Sequence, residues 1–210
     1  MPLLLKHKQP LTGIWKIEES VDELKTLLGE NSLYKTVPPM LKTEKRQKEW
    51  LATRLLSREL LGEEIIIEYA ENGRPELKDS PFHISISHTT GYVAVLLLNS
   101  PFVGIDIETR NNRILKIQKK FLCEKEYKSI DAEHEADHSL IYWSAKEVLF
   151  KMLGQEGVDF KQDLHITPFS FKESGILIAN ETKTAEKQSF QLAFEVMPDY
   201  VWVWSLESDD

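Results

Sequence analysis

The stretch SLIYWSAKEVLFKMLG, residues 139–154, predicts a helix over 139–153 that ends at Gly154. An earlier stretch, TEKRQKEWLATRLLSRELLG at residues 43–62, predicts the other long helix, with Thr43 as its N-cap and Gly62 as its end. Apolar side chains recur near helical spacing in both stretches, so we expect each helix to pack one face against a core.

Shorter segments around these helices predict strands, because they are rich in β-branched and aromatic residues and are bounded by turn residues. We expect strands at 65–69, 82–87, 92–98, 102–108, 164–171, 175–179, 188–196 and 200–206, and short helices at 114–122 and 124–131. This order predicts an α+β protein with helices packed on antiparallel-rich sheets. It is also compatible with two similar halves, residues 1–100 and 101–210, that join near Ser100-Pro101.

The composition is that of an ordinary globular protein, with 210 residues, 41% apolar residues and a formal net charge of −8. The negative charge argues against bulk binding of nucleic acid or of an anionic membrane. Cys123 is the single cysteine, which excludes an internal disulfide and fits a reducing compartment. We expect a cytoplasmic protein, because the amino-terminal segment does not have the apolar core of a signal peptide and no apolar run approaches the ~20 residues of a membrane span.

Two segments depart from this negative average. Residues 35–61 hold seven basic and three acidic side chains, a local charge of +4. Residues 110–120 hold five basic side chains and no acidic one, a local charge of +5; the five are Arg110, Arg113, Lys116, Lys119 and Lys120. Such segments suit an anionic ligand or an acidic partner, and a solvated basic face accounts for them as well.

Two carboxylates lie two residues apart in the segment Gly104-Ile105-Asp106-Ile107-Glu108. Because side chains alternate along a strand, Asp106 and Glu108 are expected on one face together with Gly104. Paired carboxylates offer the hard oxygen ligands that Mg²⁺ prefers. An edge strand with a solvated polar face is the alternative, although the apolar residues that flank Asp106 make an unpaired carboxylate there costly.

The helix at 139–153 contributes a second set of charges, because residues four apart are neighbours on a helix. Trp143, Glu147 and Lys151 have this spacing. Read alone, Glu147 and Lys151 are a surface ion pair worth about 0.3–0.5 kcal/mol. Read together with the carboxylate strand, Glu147 completes a metal site and Lys151 neutralises a phosphate bound to that metal.

Other basic residues give weaker indications. Arg74, in the turn Gly73-Arg74-Pro75, and His88, at a strand end, could each contact a phosphate, and each is also an ordinary turn or strand-end residue. The pair Ser87-His88 does not sit in a G-x-S-x-G elbow, which argues against a hydrolase triad. His134 and His138 are spaced as in a zinc helix, but their acidic, apolar-poor surroundings predict a solvated loop.

Taken in order, these segments resemble the 4′-phosphopantetheinyl transferase superfamily. The family pattern is Gly-basic-Pro, then Ser-His-Ser/Thr, then Gly-Ile-Asp-x-Glu, then Trp-Ser-x-Lys-Glu-x-x-x-Lys. The matching segments are Gly73-Arg74-Pro75, Ser87-His88-Thr89, Gly104 to Glu108, and Trp143 to Lys151. Arg74 stands where Lys is usual and Thr89 where Ser is usual, and both keep the hydrogen-bonding capacity. The length fits the long, monomeric, surfactin-synthetase-activating type.

The resemblance implies two similar α/β halves related by a pseudo-twofold axis, with coenzyme A in the cleft between them. Residues 1–100 would contact the coenzyme A phosphates, and residues 101–210 would carry the metal site and the catalytic helix. It also implies an enzyme that transfers the 4′-phosphopantetheine group from coenzyme A to a serine of an apo acyl or peptidyl carrier protein. The transfer would depend on Mg²⁺ and release adenosine 3′,5′-bisphosphate.

Individual roles carry over by position. The resemblance assigns the metal to Asp106, Glu108 and Glu147, and the catalytic roles to Glu147 and Lys151. It assigns coenzyme A binding to Arg46, Arg54, Arg74, Pro75, Ser87, His88 and Lys151. Residues 110–120 would help to meet the acidic carrier protein. Two other readings stay open, namely a non-catalytic coenzyme A or carrier-protein binding protein of this fold, and another Mg²⁺-dependent phosphate-ester enzyme.

Overall fold

The computed structural model describes residues 3–30, 32–34 and 36–207. The chain divides into two compact units, Met1–Asn99 and Ser100–Asp210. Each unit combines helices with antiparallel sheets, which is the mixed α/β architecture that the order of predicted elements indicates. Within the described ranges, no helix is long and apolar enough to cross a membrane.

The first unit is built on a four-stranded antiparallel sheet with the order β1-β2-β6-β5. Its elements are β1 (Leu3–Lys8), β2 (Leu11–Lys16), α1 (Val21–Leu28), α2 (Glu44–Leu61), β3 (Ile67–Tyr69), β4 (Pro75–Leu77), β5 (His83–Thr89) and β6 (Tyr92–Leu98). The short strands β3 and β4 form a separate antiparallel pair. The sequence patterns did not predict β1, β2 or α1.

The helix α2 has the boundaries that the sequence predicts. Thr43 caps its amino terminus by accepting a hydrogen bond from the Arg46 amide, and Gly62 ends it with a left-handed backbone at φ +82°. The apolar face of α2, including Leu51 and Leu55, packs in one core with Val93 and other residues of β6. The polar residues near the start of α2 are thereby left to face away from this core.

The second unit is built on a five-stranded antiparallel sheet with the order β7-β11-β10-β9-β8. Its elements are β7 (Ile105–Thr109), a 3-10 helix (Asn112–Lys116), α3 (Gln118–Phe121), α4 (Glu124–Lys128), α5 (Glu135–Leu153), β8 (Leu164–Ile166), β9 (Ser174–Glu181), β10 (Ser189–Val196) and β11 (Tyr200–Ser205). Val148 and Leu149 of α5 pack in one core with Val201 and Val203 of β11, so this helix covers one face of the sheet.

The start of α5 corrects the prediction for His138, whereas His134 is exposed and precedes the helix, as predicted. The helix begins at Glu135 rather than at residue 139, and His138 is fully buried in it instead of lying in a solvated loop. The His138 ring stacks on Tyr142 and meets the edge of Phe169, and its Nδ1 accepts a hydrogen bond from the Asp131 amide. Aromatic side chains distant in sequence therefore supply the apolar surroundings that the local sequence does not show.

Several other boundaries also differ from the prediction. The predicted helix 114–122 is a 3-10 helix followed by the four-residue α3, and the predicted strand 164–171 is limited to β8. The predicted strand 102–108 begins at Ile105, and β5 extends through Thr89, which was expected in the connection to β6.

Candidate functional site

The second unit brings β7 and α5 together at Gly104. A Cβ atom at this position would lie 2.7 Å from the Val148 carbonyl oxygen and 2.9 Å from Met152 Cγ. Only glycine permits this approach, because a Cβ atom does not come so close to other heavy atoms. The glycine of the Gly-Ile-Asp-x-Glu segment thus sets the distance between the strand and the helix that carry the predicted site.

Across this contact, Lys151 of α5 contacts the strand. Its Nζ donates to Asp106 Oδ1 at 2.9 Å and to the Ile105 carbonyl oxygen at 2.7 Å. Asp106 is 5% exposed, so the alternative of a solvated polar face does not apply to it. The ammonium that could pair with Glu147 on its own helix reaches the neighbouring strand instead.

Glu108 faces the same helix two residues farther along β7. Its Oε1 accepts a hydrogen bond from Trp143 Nε1 at 3.2 Å. The strand alternation therefore places Asp106 and Glu108 on the α5 side, as predicted, and Trp143 and Lys151 contact one carboxylate each. The Trp143 ring is held edge-on against Phe121, at a centroid distance of 5.2 Å, which fixes the indole donor.

The electrostatics of this group are dominated by negative charge. Burial, then the charge of Asp106, raises the pKa of Glu147 to about 7; Lys151 opposes this rise and Glu108 adds to it. Burial and the charge of Asp106 also raise the pKa of Glu108. Three carboxylates thus interact around a single ammonium, an arrangement that lacks positive charge.

This donor set fits a magnesium ion. Mg²⁺ prefers carboxylate oxygens, and Asp106, Glu108 and Glu147 supply them from one strand and one helix. The pKa values of Glu108 and Glu147 are raised first by burial and then by the charge of Asp106, and Lys151 only partly opposes these shifts. A divalent cation would supply the missing positive charge.

Lys146, next to Glu147 in the sequence, has a different environment. It is fully buried, and its Nζ donates to Glu126 Oε2 and to the carbonyl oxygens of Phe121 and Phe160 at 2.7–2.8 Å. Burial lowers the pKa of Lys146, and the charge of Glu126 opposes this shift. Lys146 therefore ties α5 to α3, α4 and the following loop, a structural role that sequence reasoning missed.

A second group of possible metal ligands lies beside Lys146. Cys123, Glu126 and His165 have ligand atoms within 4.8 Å of one another. The two carboxylate oxygens of Glu126 already accept from the amides of Cys123 and Ile166 and from the Lys146 ammonium. Because three donors from the protein already occupy both oxygens of Glu126, we interpret this group as structural.

The first unit holds a cavity of about 400 Å³ next to the start of α2. Its lining contains Arg46, Arg54, Pro75 and His88, four of the six residues of this unit that were predicted to bind coenzyme A. The described residues that complete the lining are Leu41, Glu49, Trp50, Thr53, Tyr69, Gly73 and Ile86. Aromatic, apolar and basic side chains together suit a ligand with a flat ring and phosphate groups.

Two predicted residues lie outside that lining in the part of the chain that the structure describes. Arg74 follows Asn72, whose Oδ1 accepts from the Arg74 amide in the turn before β4. Ser87 is buried on β5, opposite Ala94 of β6. The structure thus brings Arg46, Arg54, Pro75 and His88 to one cavity and leaves Arg74 and Ser87 beside it.

The guanidinium of Arg54 packs against aromatic rings. It is 4% exposed, and its guanidinium carbon lies 4.2 Å from the centre of the Trp50 ring. Tyr34 and Tyr69 also lie within 6 Å of it. Its Nε is buried and has no hydrogen-bond partner among the residues described, as expected for a donor that a ligand would complete.

Sequence reasoning missed Glu49, Trp50 and Tyr69 in the cavity lining. Trp50 was expected to face a core, and Tyr69 was part of a predicted strand. For Glu49 the sequence does hold a signal, because it lies three residues after Arg46 and hence on the same side of α2. Lys45 and Lys48, equally close in sequence, obscure that signal.

The basic segment 110–120 is largely exposed. Arg113, Lys116, Lys119 and Lys120 face solvent. Arg110 is engaged instead, because its guanidinium donates to both carboxylate oxygens of Asp137 at 2.7 and 2.9 Å. The local charge available to a partner is therefore smaller than the +5 of the sequence.

Comparison with known proteins gives one family. Residues 102–202, which include β7 and α5, match the model of the 4′-phosphopantetheinyl transferase superfamily. The chain is 34% identical over 97 residues to the 4′-phosphopantetheinyl transferase psf-1 of Bacillus pumilus, covering 44% of this chain and 41% of that protein. It is 29% identical over 134 residues to the 4′-phosphopantetheinyl transferase Sfp of Bacillus subtilis (strain 168), covering 62% of this chain and 58% of that protein.

A third relative, the 4′-phosphopantetheinyl transferase gsp of Aneurinibacillus migulanus, is 34% identical over 98 residues, covering 44% of this chain and 40% of that protein. In these matches the chain spans between 40% and 58% of the length of the curated relatives. The matched region 102–202 contains the strand and the helix that carry the acidic group described above. Over residues 102–202, the chain is therefore similar to the 4′-phosphopantetheinyl transferase superfamily.

Proposed function

We propose that the protein transfers the 4′-phosphopantetheine group from coenzyme A to a serine of an apo acyl or peptidyl carrier protein. The observation that carries this proposal is the group formed by Asp106, Glu108, Glu147 and Lys151, which lies in the region that matches the superfamily. The names of the relatives support the same activity.

Asp106, Glu108 and Glu147 would hold Mg²⁺, and the ion would neutralise the charge on the pyrophosphate oxygens when bound. Lys151 would lie on the leaving-group side. Its Nζ already contacts Asp106, so its position is set by β7 before any substrate arrives. An ammonium held in advance stabilises developing negative charge without further reorganisation.

The transfer itself needs a serine oxygen to attack a phosphorus atom of the coenzyme A pyrophosphate. A bond forms between the serine oxygen and this phosphorus as the bond between the phosphorus and an oxygen of adenosine 3′,5′-bisphosphate breaks. The leaving oxygen keeps the electron pair. Glu147 is our candidate to take the serine proton, directly or through a water molecule. Lys151 would face the charge that builds on the leaving phosphate.

In the first unit, Arg46, Arg54 and His88 would contact phosphate groups of coenzyme A from the cavity lining, beside Pro75. Arg74 and Ser87 stay predictions of the same kind, although they lie outside that lining among the described residues. The pseudo-twofold relation, the monomeric state and the cytoplasmic location implied by the resemblance also stay predictions.

The test is a transfer assay with a mass readout. Protein, Mg²⁺, coenzyme A and an apo carrier protein are mixed, and mass spectrometry measures whether the carrier gains one phosphopantetheine group. We expect a gain that disappears with EDTA and with the carrier's serine replaced by alanine. Glu147→Gln should abolish the gain while coenzyme A binding, measured by calorimetry, is largely kept. No gain with any of several carriers would favour the binding protein of the same fold.

A further inference from the structure

A buried carboxylate borders the cavity of the first unit at Glu49. The side chain of Glu49 is 5% exposed, and its Oε2 accepts a hydrogen bond from Arg46 NH1 at 3.0 Å. His88 Nδ1 lies 3.9 Å from the same oxygen, and Lys45 Nζ lies 3.8 Å from Oε1. Glu49 is therefore surrounded by three basic side chains, two of which were predicted to bind phosphate.

The three side chains of Arg46, His88 and Glu49 differ in how much of each is exposed to solvent. The side chains of Arg46 and His88 are 56% and 39% exposed, whereas that of Glu49 is 5% exposed. The carboxylate is thus the most buried of the three groups, and the two basic groups are more exposed to solvent. A buried carboxylate is tolerated only where it is paired, and here its partners are the groups that a ligand phosphate would meet first.

The two basic groups also contact each other. Arg46 NH1 lies 2.8 Å from His88 Nε2. Because a guanidinium can only donate, Arg46 donates in this contact and His88 Nε2 accepts. Arg46 thus donates both to His88 and to the Glu49 carboxylate, and the carboxylate holds the guanidinium through a hydrogen bond.

We propose that Glu49 is a positioning residue of the phosphate subsite, an inference that rests on the proposed function of the protein. It accepts a hydrogen bond from Arg46, so this guanidinium is held at the cavity before a phosphate arrives. Its own carboxylate does not contact the phosphate, since two anions repel each other. Its effect on binding therefore acts through Arg46.

Binding of adenosine 3′,5′-bisphosphate, measured by isothermal titration calorimetry, tests this role without the transfer reaction. Glu49→Gln keeps the size of the side chain and removes its charge, and we expect binding to weaken about tenfold because the hydrogen bond that holds Arg46 is then made to a neutral acceptor. Glu49→Asp keeps the charge but shortens the reach, and should also weaken binding. Glu59→Gln is the matched control, because Glu59 is an exposed glutamate of the same helix that contacts Arg58.

A double-mutant cycle separates positioning from a general effect on the fold. In the Arg46→Ala background, Glu49→Gln should change the dissociation constant by less than about twofold, because the group that Glu49 orients is gone. A tenfold loss that persists in this background would overturn the proposal, as would binding by Glu49→Gln equal to or tighter than that of wild type. Absence of binding by the wild-type protein would overturn the proposed function itself, and this inference with it.

Discussion

The Nζ atom of Lys151 lies 2.9 Å from Oδ1 of Asp106, a contact that joins the last turn of α5 to the strand β7. A second hydrogen bond, to the Ile105 carbonyl oxygen, holds the same ammonium in place. The side chain of Lys151 is only 26% exposed, so this contact is more than a transient surface pair. The lysine is therefore positioned in advance for a ligand that adds negative charge.

Replacing this ammonium should reduce catalysis. Lys151→Met keeps most of the side-chain length and removes the charge, and we expect kcat for phosphopantetheine transfer to fall about 100-fold, the usual cost of losing one group that stabilises transition-state charge. Initial rates of holo-carrier formation measure this. Lys172→Met, at an exposed lysine of the same unit, is the control and should retain full activity. A kcat for Lys151→Met within threefold of wild type would contradict the assigned role.

The raised pKa of Glu147 predicts a pH-dependent stability of the metal-free protein. Because the pKa of this carboxyl is about 7 in the folded state and 4.5 for an ordinary glutamate, the folded state binds the proton more tightly, and stability should fall as pH rises from about 4.5 to 7. Glu147→Gln removes the free-energy cost of ionising this buried carboxyl group. We expect it to stabilise the protein by about 1–3 kcal/mol at pH 8 and by less at pH 5.5.

Urea unfolding in EDTA at the two pH values measures this difference. Glu124→Gln, at a glutamate that is 81% exposed in its side chain, should leave stability unchanged at both. If Glu147→Gln gives no gain at pH 8, or the same gain at both pH values, burial does not penalise this carboxylate in the way described. Added Mg²⁺ should stabilise wild type more than Glu147→Gln, since the variant has lost one predicted ligand.

The buried pair of Lys146 and Glu126 should be essential for stability. Lys146→Met leaves the carboxylate of Glu126 buried without its ammonium partner, and we expect a loss of about 3–5 kcal/mol in the free energy of unfolding. Lys128→Met, at a lysine that is 71% exposed, should change stability by less than about 0.5 kcal/mol. Equal unfolding midpoints for the two variants in urea would show that the pair contributes little.

The exposed lysines of the segment 110–120 should contribute to binding of the carrier protein and not to binding of coenzyme A. A triple charge reversal of Lys116, Lys119 and Lys120 to Glu should raise KM for an acidic carrier about tenfold and leave KM for coenzyme A unchanged. The same reversal at Lys125 and Lys172, exposed elsewhere in the unit, is the control. An unchanged KM for the carrier would support the solvated basic face that the sequence also allows.

Local patterns predicted those elements whose signals lie within a few residues. Thr43 and Gly62 mark both ends of α2, and alternation places Asp106 and Glu108 on one side of β7. Helical spacing places Trp143 and Lys151 on the side of α5 that meets β7. In each case a single turn or a single strand determines which way the side chain points.

Features that depend on distant partners were not predicted. His138 was expected in a solvated loop, and it is buried because Phe169, some 30 residues later, packs on it. Lys146 and Glu147 are adjacent in one motif, and only the three-dimensional structure shows that Glu126 and two carbonyl groups hold the lysine in the core. Glu49 lies close to His88, which is on a strand 39 residues farther along the chain.

The different surroundings of Lys146 and Lys151 limit the insertions and deletions that α5 can accept. One lysine points into a dry core and the other toward β7, although five residues of a single helix separate them. An inserted or deleted residue between them would rotate the rest of the helix by about 100°. It would turn Lys151 away from Asp106 while the pair of Lys146 and Glu126 stayed in place. A change in the length of this turn would therefore separate Lys151 from Asp106 without breaking the pair of Lys146 and Glu126.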